Sequence, residues 1–306
     1  ILGDEIGLFA YNLQSQIFQF KRLNIKESQH GDLFPIRSIL ENPARHEMYF
    51  ATDMGNGLNI LNTQTGALQN LPVDVEPGGD SIMHVRAMLR DKSGKIWLLS
   101  AHHLYWFDEI RKQLIRVQPQ KHTLLFERAN NFKSFCADNF NRLYVLNYAG
   151  QLLRFHCQTG IWDTLPQLRP VSSEIQFLLA DKANNLWLAT SNSIFRFSLV
   201  DNTLQSLNIE GMPHKPGHTI RNISADLQGN IWVSVNRKGL VRIALNRSKP
   251  AYQWFTNENG HHLDRIVRMN CDPQGYLWMA TITSVLRMDT RTFAIRAMRE
   301  YQGMDN

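Results

Sequence analysis

The chain has 306 residues, 43% of them hydrophobic and 20% charged, and its 33 Lys and Arg exceed its 27 Asp and Glu for a formal net charge of +6. That apolar share supports a large core and excludes a disordered, highly charged chain. The basic excess is modest, and no run of five basic residues concentrates it, so a nucleic-acid partner is not expected.

Taken in order, Ile1 to Lys21 reads as the back half of a four-stranded unit. Asp4 to Tyr11 supplies a turn and a third strand, and Ile17 to Phe20 a fourth. The start, Ile1-Leu-Gly-Asp-Glu5, lacks a basic segment followed by an apolar one, so no signal peptide is expected. Without an initial Met, the chain reads as a mature form or an excised piece. No apolar run reaches transmembrane length, so no membrane segment is expected.

A repeat follows. Asp226-Leu-Gln-Gly-Asn-Ile-Trp232 is a tight turn running into a β-branched and aromatic strand. Asn236 to Gly239 breaks that strand, and Leu240 to Ile243 begins the next. Copies of the turn begin at Asp91, Asp138, Asp181 and Asp272, with successive aspartates 47, 43, 45 and 46 residues apart. A looser copy, one residue longer, runs from Asn42 to Tyr49. Gly94, Gly229 and Gly275 stand where such a turn needs a positive φ, and Asn141 and Asn184 replace Gly in the other two copies.

First strands are expected near Ile36, Val85, Phe132, Ile175, Ile220 and Ile266. Second strands carry Tyr49, Trp97, Tyr144, Trp187, Trp232 and Trp278. Third strands carry Leu58, Leu104, Leu152, Ile194, Leu240 and Val285. A period near 45 built of four short strands predicts an all-β, seven-bladed β-propeller of four-stranded antiparallel blades, one of them incomplete. The whole chain is then one domain. Its blades lie near residues 1–25 (partial), 36–72, 85–118, 132–166, 175–209, 220–256 and 266–299. Residues 301–306 begin a ring-closing blade or a linker. The recurring aromatic is expected between adjacent blades.

These repeats resemble the two-component regulator propeller repeat, roughly Asp-x-x-Gly-x-aliphatic-Trp-aliphatic-x-Thr, then Gly-Leu and an aliphatic-Arg-aliphatic strand. Asp181 to Phe197 shows it with Trp187, Ala189-Thr190 and Arg196. Asp272 to Met288 shows it with Trp278, Ala280-Thr281 and Arg287, and Asp226 to Ile243 with Gly239-Leu240 and Arg242. The segment Tyr301 to Asn306 resembles the family's inter-blade junction. The resemblance implies a periplasmic, non-catalytic input region of a hybrid two-component sensor that responds to polysaccharide fragments. It also implies neighbouring domains beyond this chain and a histidine kinase in the parent protein.

Candidate chemistry is sparse. There is no Gly-x-Ser-x-Gly, no His-Glu-x-x-His, no phosphate loop and no calcium loop. The turn aspartates lack the alternating ligands that calcium needs, and are expected to bond their own turn backbone. The pairs His102-His103 and His261-His262 make poor chelates, because adjacent strand residues face opposite ways. Cys136, Cys157 and Cys271 read as small buried hydrophobes. No cofactor and no metal are expected.

One pattern stands out. The positions five residues before each turn Asp, or before Asn42, are Arg37, Arg86, Lys133, Gln176, Arg221 and Val267, with Arg268 adjacent to the last. Inner strands line a propeller's channel, so these side chains are expected at one height. Turns on the same face add His102, His103, Tyr148, Asn192, Arg237 and Lys238 to the rim. Two like charges ~10 Å apart repel by about 1.7 kcal/mol at an effective dielectric near 20, so water, acidic neighbours or a bound anion must offset the set. The expected ligand is an oligosaccharide, an acidic one fitting best. The alternatives are a wet channel lining, a protein-interaction scaffold, or a metal-dependent lyase or lactonase-like enzyme; among partners, a second copy in a homodimer is also allowed. Streptogramin lyase and related lactonases share a Trp-bearing propeller repeat, but need carboxylates or histidines converging on the channel, where this chain has cations.

Overall fold

The computed structural model describes residues 2–4, 7–12, 17–22, 36–52, 57–71, 85–118, 132–172, 174–212, 217–245, 250–258, 261–281 and 284–298; of 2–22 it gives the backbone alone. Residues 301–306, the expected closing segment, lie outside this set.

Six four-stranded antiparallel sheets are each built from four consecutive strands, and a three-stranded sheet precedes them. The chain is a β-propeller, with six complete blades and the incomplete one at its N-terminus. The incomplete sheet comprises Leu2–Asp4, Gly7–Asn12 and Ile17–Arg22. Blade 1 starts with Ile36–Asn42, blade 2 with Val85–Arg90 and blade 3 with Phe132–Ala137. Blade 4 starts with Phe177–Ala180, blade 5 with Ile220–Ala225 and blade 6 with Arg268–Cys271. Helical structure among the described residues amounts to three single 3-10 turns and the four-residue helix Arg169–Ser172.

The residues group into two compact units, Ile1–Thr164 and Leu165–Glu300. In the first unit, the first strands of blades 1, 2 and 3 run beside one another. Ser38 stitches two of them together, its Oγ accepting the Met88 N–H at 3.0 Å and donating to the Met88 carbonyl at 3.4 Å. In the second unit, the first strands of blades 4, 5 and 6 lie side by side in the same way.

Every turn residue expected at positive φ adopts it: Gly94 (87°), Asn141 (56°), Asn184 (61°), Gly229 (83°) and Gly275 (90°). The aspartates close these turns as expected. Asp91 Oδ1 accepts the N–H groups of Ser93 (2.9 Å) and Lys95 (3.0 Å). Asp226 Oδ1 accepts from the Asn230 N–H at 2.8 Å.

The other carboxylate oxygen has a second task. It accepts the indole N–H of the aromatic six positions on, at 2.7 Å for Asp91 and Trp97, 2.7 Å for Asp181 and Trp187, 2.9 Å for Asp226 and Trp232, and 2.7 Å for Asp272 and Trp278. In blade 3 the Tyr144 hydroxyl donates to Asp138 at 3.0 Å. One buried carboxylate thus ties the turn to the aromatic that fills the core, and no buried indole N–H in these four pairs is left unsatisfied.

These aromatics pack between blades of the same unit. Trp97 of blade 2 meets Phe155 of blade 3 edge-on at 5.6 Å. Trp187 of blade 4 lies in one cluster with Ile223 and Ile231 of blade 5. Trp232 of blade 5 packs with Leu277 and Met279 of blade 6. Trp97, Trp187 and Trp232 are fully buried, while Trp278 remains partly exposed. Gly239, at φ 133°, opens the third strand of blade 5, where a Cβ would sit 2.3 Å from the Phe255 carbonyl oxygen, so no other residue fits.

Candidate functional site

The first strands of four blades carry a register shift. It falls between Ile36 and Ser38, Val85 and Ala87, Phe132 and Ser134, and Ile220 and Asn222. The extra residue is in each case a cation: Arg37, Arg86, Lys133 and Arg221. A β-bulge leaves one residue outside the ladder and re-aims its side chain, and such bulges concentrate beside functional sites. The offset seen in the sequence is therefore a backbone feature as well.

Blades 4 and 6 vary this theme. Phe177 pairs with Ala189, yet the Gln176 N–H donates to the same Ala189 carbonyl at 2.7 Å. Gln176 is thus the amide counterpart of the bulge cations. In blade 6 Arg268 pairs with Ala280, and the Val267 N–H donates to the Ala280 carbonyl at 2.8 Å. The apolar Val267, 45% exposed, holds the corresponding position there, and Arg268 takes an ordinary ladder place beside it. The first strands of these two blades accordingly begin two residues later than Ile175 and Ile266.

In the first unit the structure brings Arg86, Lys133 and Tyr148 together. The Arg86 guanidinium lies 5.7 Å, and the Lys133 ammonium 5.8 Å, from the centre of the Tyr148 ring. Tyr148 stands on the turn between the second and third strands of blade 3 and reaches back to blade 2. Arg86 Nε is buried without a hydrogen-bond partner among the described residues. Burial pulls the Lys133 ammonium below the usual lysine range, the expected response of a cation losing water. His102 and His103 sit on the corresponding turn of blade 2 with rings 6.4 Å apart, and the His103 ring meets Tyr105 edge-on at 6.1 Å. Arg37 is exposed on blade 1.

In the second unit Arg221 and Arg268 are exposed. Arg237 adopts φ 59°, a left-handed conformation that bulky residues rarely take. Neighbouring backbone holds it there: its N–H donates to the Asp264 carbonyl at 2.8 Å, and the Asn236 N–H to that of Thr219 at 2.9 Å. Gly217 leaves room for the guanidinium, since a Cβ there would approach Nη1 to 3.2 Å. The Lys238 ammonium lies 5.1 Å from the Trp254 ring. Asn192 is exposed on the equivalent turn of blade 4.

No three His, Cys, Asp or Glu groups converge among the described residues. The cysteines are free, Cys136 buried and the others partly so, and burial pushes the Cys157 thiol up to about 12 and the Cys271 thiol up to about 11. No helix among the described residues is long and apolar enough to cross a membrane. The arrangement offers cationic and aromatic groups for binding.

No family model matches the chain, and no curated protein matches its sequence. Solved structures do resemble it. A protein of B. thetaiotaomicron, named as the extracellular domain of the hybrid two component system BT3049, superposes with a TM-score of 0.63 at 17% identity, over 88% of this chain. The chain spans only 35% of that protein's length. A catalytically inactive virginiamycin B lyase from Staphylococcus aureus, solved with quinupristin, gives 0.64 at 12% identity over 92% of this chain and 88% of the lyase. The WD40 repeats of RRP9 give 0.62 at 10% identity, over 87% and 80% of the two chains. At these identities the likeness is one of fold: the chain has the β-propeller fold also found in the extracellular domain of a hybrid two-component system.

Proposed function

We propose that this chain is a non-catalytic sensing module that binds an acidic oligosaccharide fragment through the bulge cations of its first strands. The observation that carries this reading is the repeated bulge, which holds Arg37, Arg86, Lys133 and Arg221 at one backbone position in four blades. Charge-assisted hydrogen bonds from guanidinium and ammonium groups suit carboxylate and sulfate esters. Within the first unit His102, His103 and Tyr148 supply further polar and aromatic contacts, and within the second Gln176, Arg237, Lys238 and Arg268 do so.

The likeness to a two-component extracellular domain supports a place as the input region of such a sensor, on the periplasmic side of the membrane. Binding would restrain the blades and alter their contacts with neighbouring domains or a second copy. The shared fold of virginiamycin B lyase favours an enzyme as second reading. That reading requires a converging set of metal ligands or a general base, for which the cationic bulge residues are unsuited.

Calorimetry with acidic and neutral oligosaccharides at two ionic strengths tests the proposal, on wild type and on Arg86→Ala/Arg221→Ala. The acidic ligand is expected to bind more tightly, to weaken as salt rises and to weaken in the variant. Binding that ignores both salt and substitution sinks the proposal.

A further inference from the structure

We infer that Tyr148 is the specificity residue of the Arg86–Lys133 site: its ring is a platform for the apolar face of a sugar whose acidic group the two cations hold. The inference rests on the binding reading above and adds to it a preference for anions carried on a pyranose ring over free anions.

The turn that presents Tyr148 is closed by its own hydrogen bonds. The Asn147 N–H donates to the Gln151 carbonyl at 3.1 Å, and the Gly150 N–H to the Asn147 carbonyl at 3.1 Å. The Asn147 side chain closes the turn twice more, accepting the Gln151 N–H at 2.8 Å and donating to Gln151 Oε1 at 2.8 Å. Gly150 supplies the positive φ of 77°. A ring held by such a turn loses little freedom when a ligand covers it, which is the advantage of a preorganised contact.

Tyr148 is nonetheless 55% exposed. Both cations lie over the ring, 5.7 and 5.8 Å from its centroid, and the exposure of the residue shows that part of its surface stays open. The two charges are at most about 11.5 Å apart, the sum of those two separations, close enough to engage one acidic sugar or two consecutive ones. An aromatic face beside a fixed cation pair matches a ring with an apolar C–H side and an anionic substituent, as in a uronic acid. A small inorganic anion would use the cations and gain nothing from the ring.

Tetragalacturonate, its fully methyl-esterified neutral form and inorganic sulfate serve as probes in calorimetry at low salt. Wild type, Tyr148→Ala, Tyr148→Phe and Arg86→Ala/Lys133→Ala are compared, with thermal melts confirming that each remains folded. Tyr148→Ala is expected to weaken tetragalacturonate about tenfold while leaving sulfate unchanged, and Tyr148→Phe to stay within about twofold of wild type. The neutral ester should bind least. If Tyr148→Ala binds tetragalacturonate like wild type while the double variant loses it, the platform role fails and the cationic site stands. Equal loss of sulfate in Tyr148→Ala would also overturn the platform, making the ring a holder of the cations. If wild type fails to bind, or the double variant binds unchanged, both readings fall.

Discussion

Blades 1 and 5 solve the same problem differently. Each buries a large aromatic in its second strand, and each must satisfy that side chain's polar atom. In blade 5 the solution is internal: Asp226, six positions before Trp232, accepts the indole N–H at 2.9 Å and the Asn230 amide at 2.8 Å. Blade 1 has Asn42 where the others have Asp, and its turn is a residue longer, passing through His46 at φ 52°. Its aromatic is Tyr49, whose Oη lies 2.7 Å from Glu47 and 2.8 Å from Glu109 of blade 2. One hydroxyl proton serves two carboxylates, so it can donate to only one at a time. Arg90 grips Glu109 at 2.9 Å, Asn42 donates to it at 2.6 Å, and Lys112 reaches Glu47 at 2.5 Å. With Asn42 in place of a turn carboxylate, blade 1 satisfies its aromatic through a network that joins two blades.

The largest effect should come from the shared element. Trp232→Ala is expected to cost about 3–5 kcal/mol, the usual range for deleting a fully buried large aromatic. Denaturant midpoints unchanged by this substitution would mean that blade 5 is not held by its indole.

Next comes Glu109→Ala, which removes the acceptor shared by Arg90, Asn42 and Tyr49 and leaves Tyr49 to Glu47 and Arg90 to the Gly94 carbonyl. Since Arg90 keeps some access to water, about 2 kcal/mol is expected. A double-mutant cycle with Asn42→Ala should show coupling between blades 1 and 2, whereas additive losses would contradict the network.

Asp226→Asn tests the local solution. The amide keeps the shape, but it turns one acceptor oxygen into a donor facing other donors. About 1–2 kcal/mol is expected, with no coupling to blade 6. A neutral result would show that the carboxylate is dispensable in this turn.

The smallest effect separates the two blades by pH. Burial pushes the Glu109 carboxyl up, but hydrogen bonds from Arg90, Asn42 and Tyr49 outweigh it and hold it down at about 2. Burial likewise raises Glu47, and its bonds from Lys112 and Tyr49 more than offset this. A carboxyl lowered in the folded state contributes stability above its unfolded value, near 4.5, and that contribution fades as pH falls toward about 2. Acid unfolding followed by circular dichroism should thus show a shallower loss across that window in Glu109→Gln than in wild type. Parallel curves would remove Glu109 from the account.

Much of this architecture is written plainly in the sequence. The spacing of the turn aspartates and the Gly or Asn at each fourth position specify a backbone that only those residues enter cheaply, and the blades follow. The Asp-to-indole bond is equally legible in the constant six-residue offset, although Asp alone accounts for the turn and Trp alone for the core. The bulges do not follow strict alternation. Their mark is a pair of apolar residues three apart in one strand, as at Val85 and Met88, Phe132 and Phe135, and Ile220 and Ile223, all buried. An inserted residue shifts the phase by one, which a period-two reading treats as noise. The meeting of Arg86 and Lys133 on Tyr148 spans two blades, and single-strand patterns carry no information on such contacts.

The most direct measurement is a crystal structure of the protein with tetragalacturonate bound. The account predicts ligand carboxylate oxygens within hydrogen-bond distance of the Arg86 guanidinium and the Lys133 ammonium, with a sugar ring over Tyr148. Well-ordered ligand elsewhere, with these three side chains untouched, would contradict it.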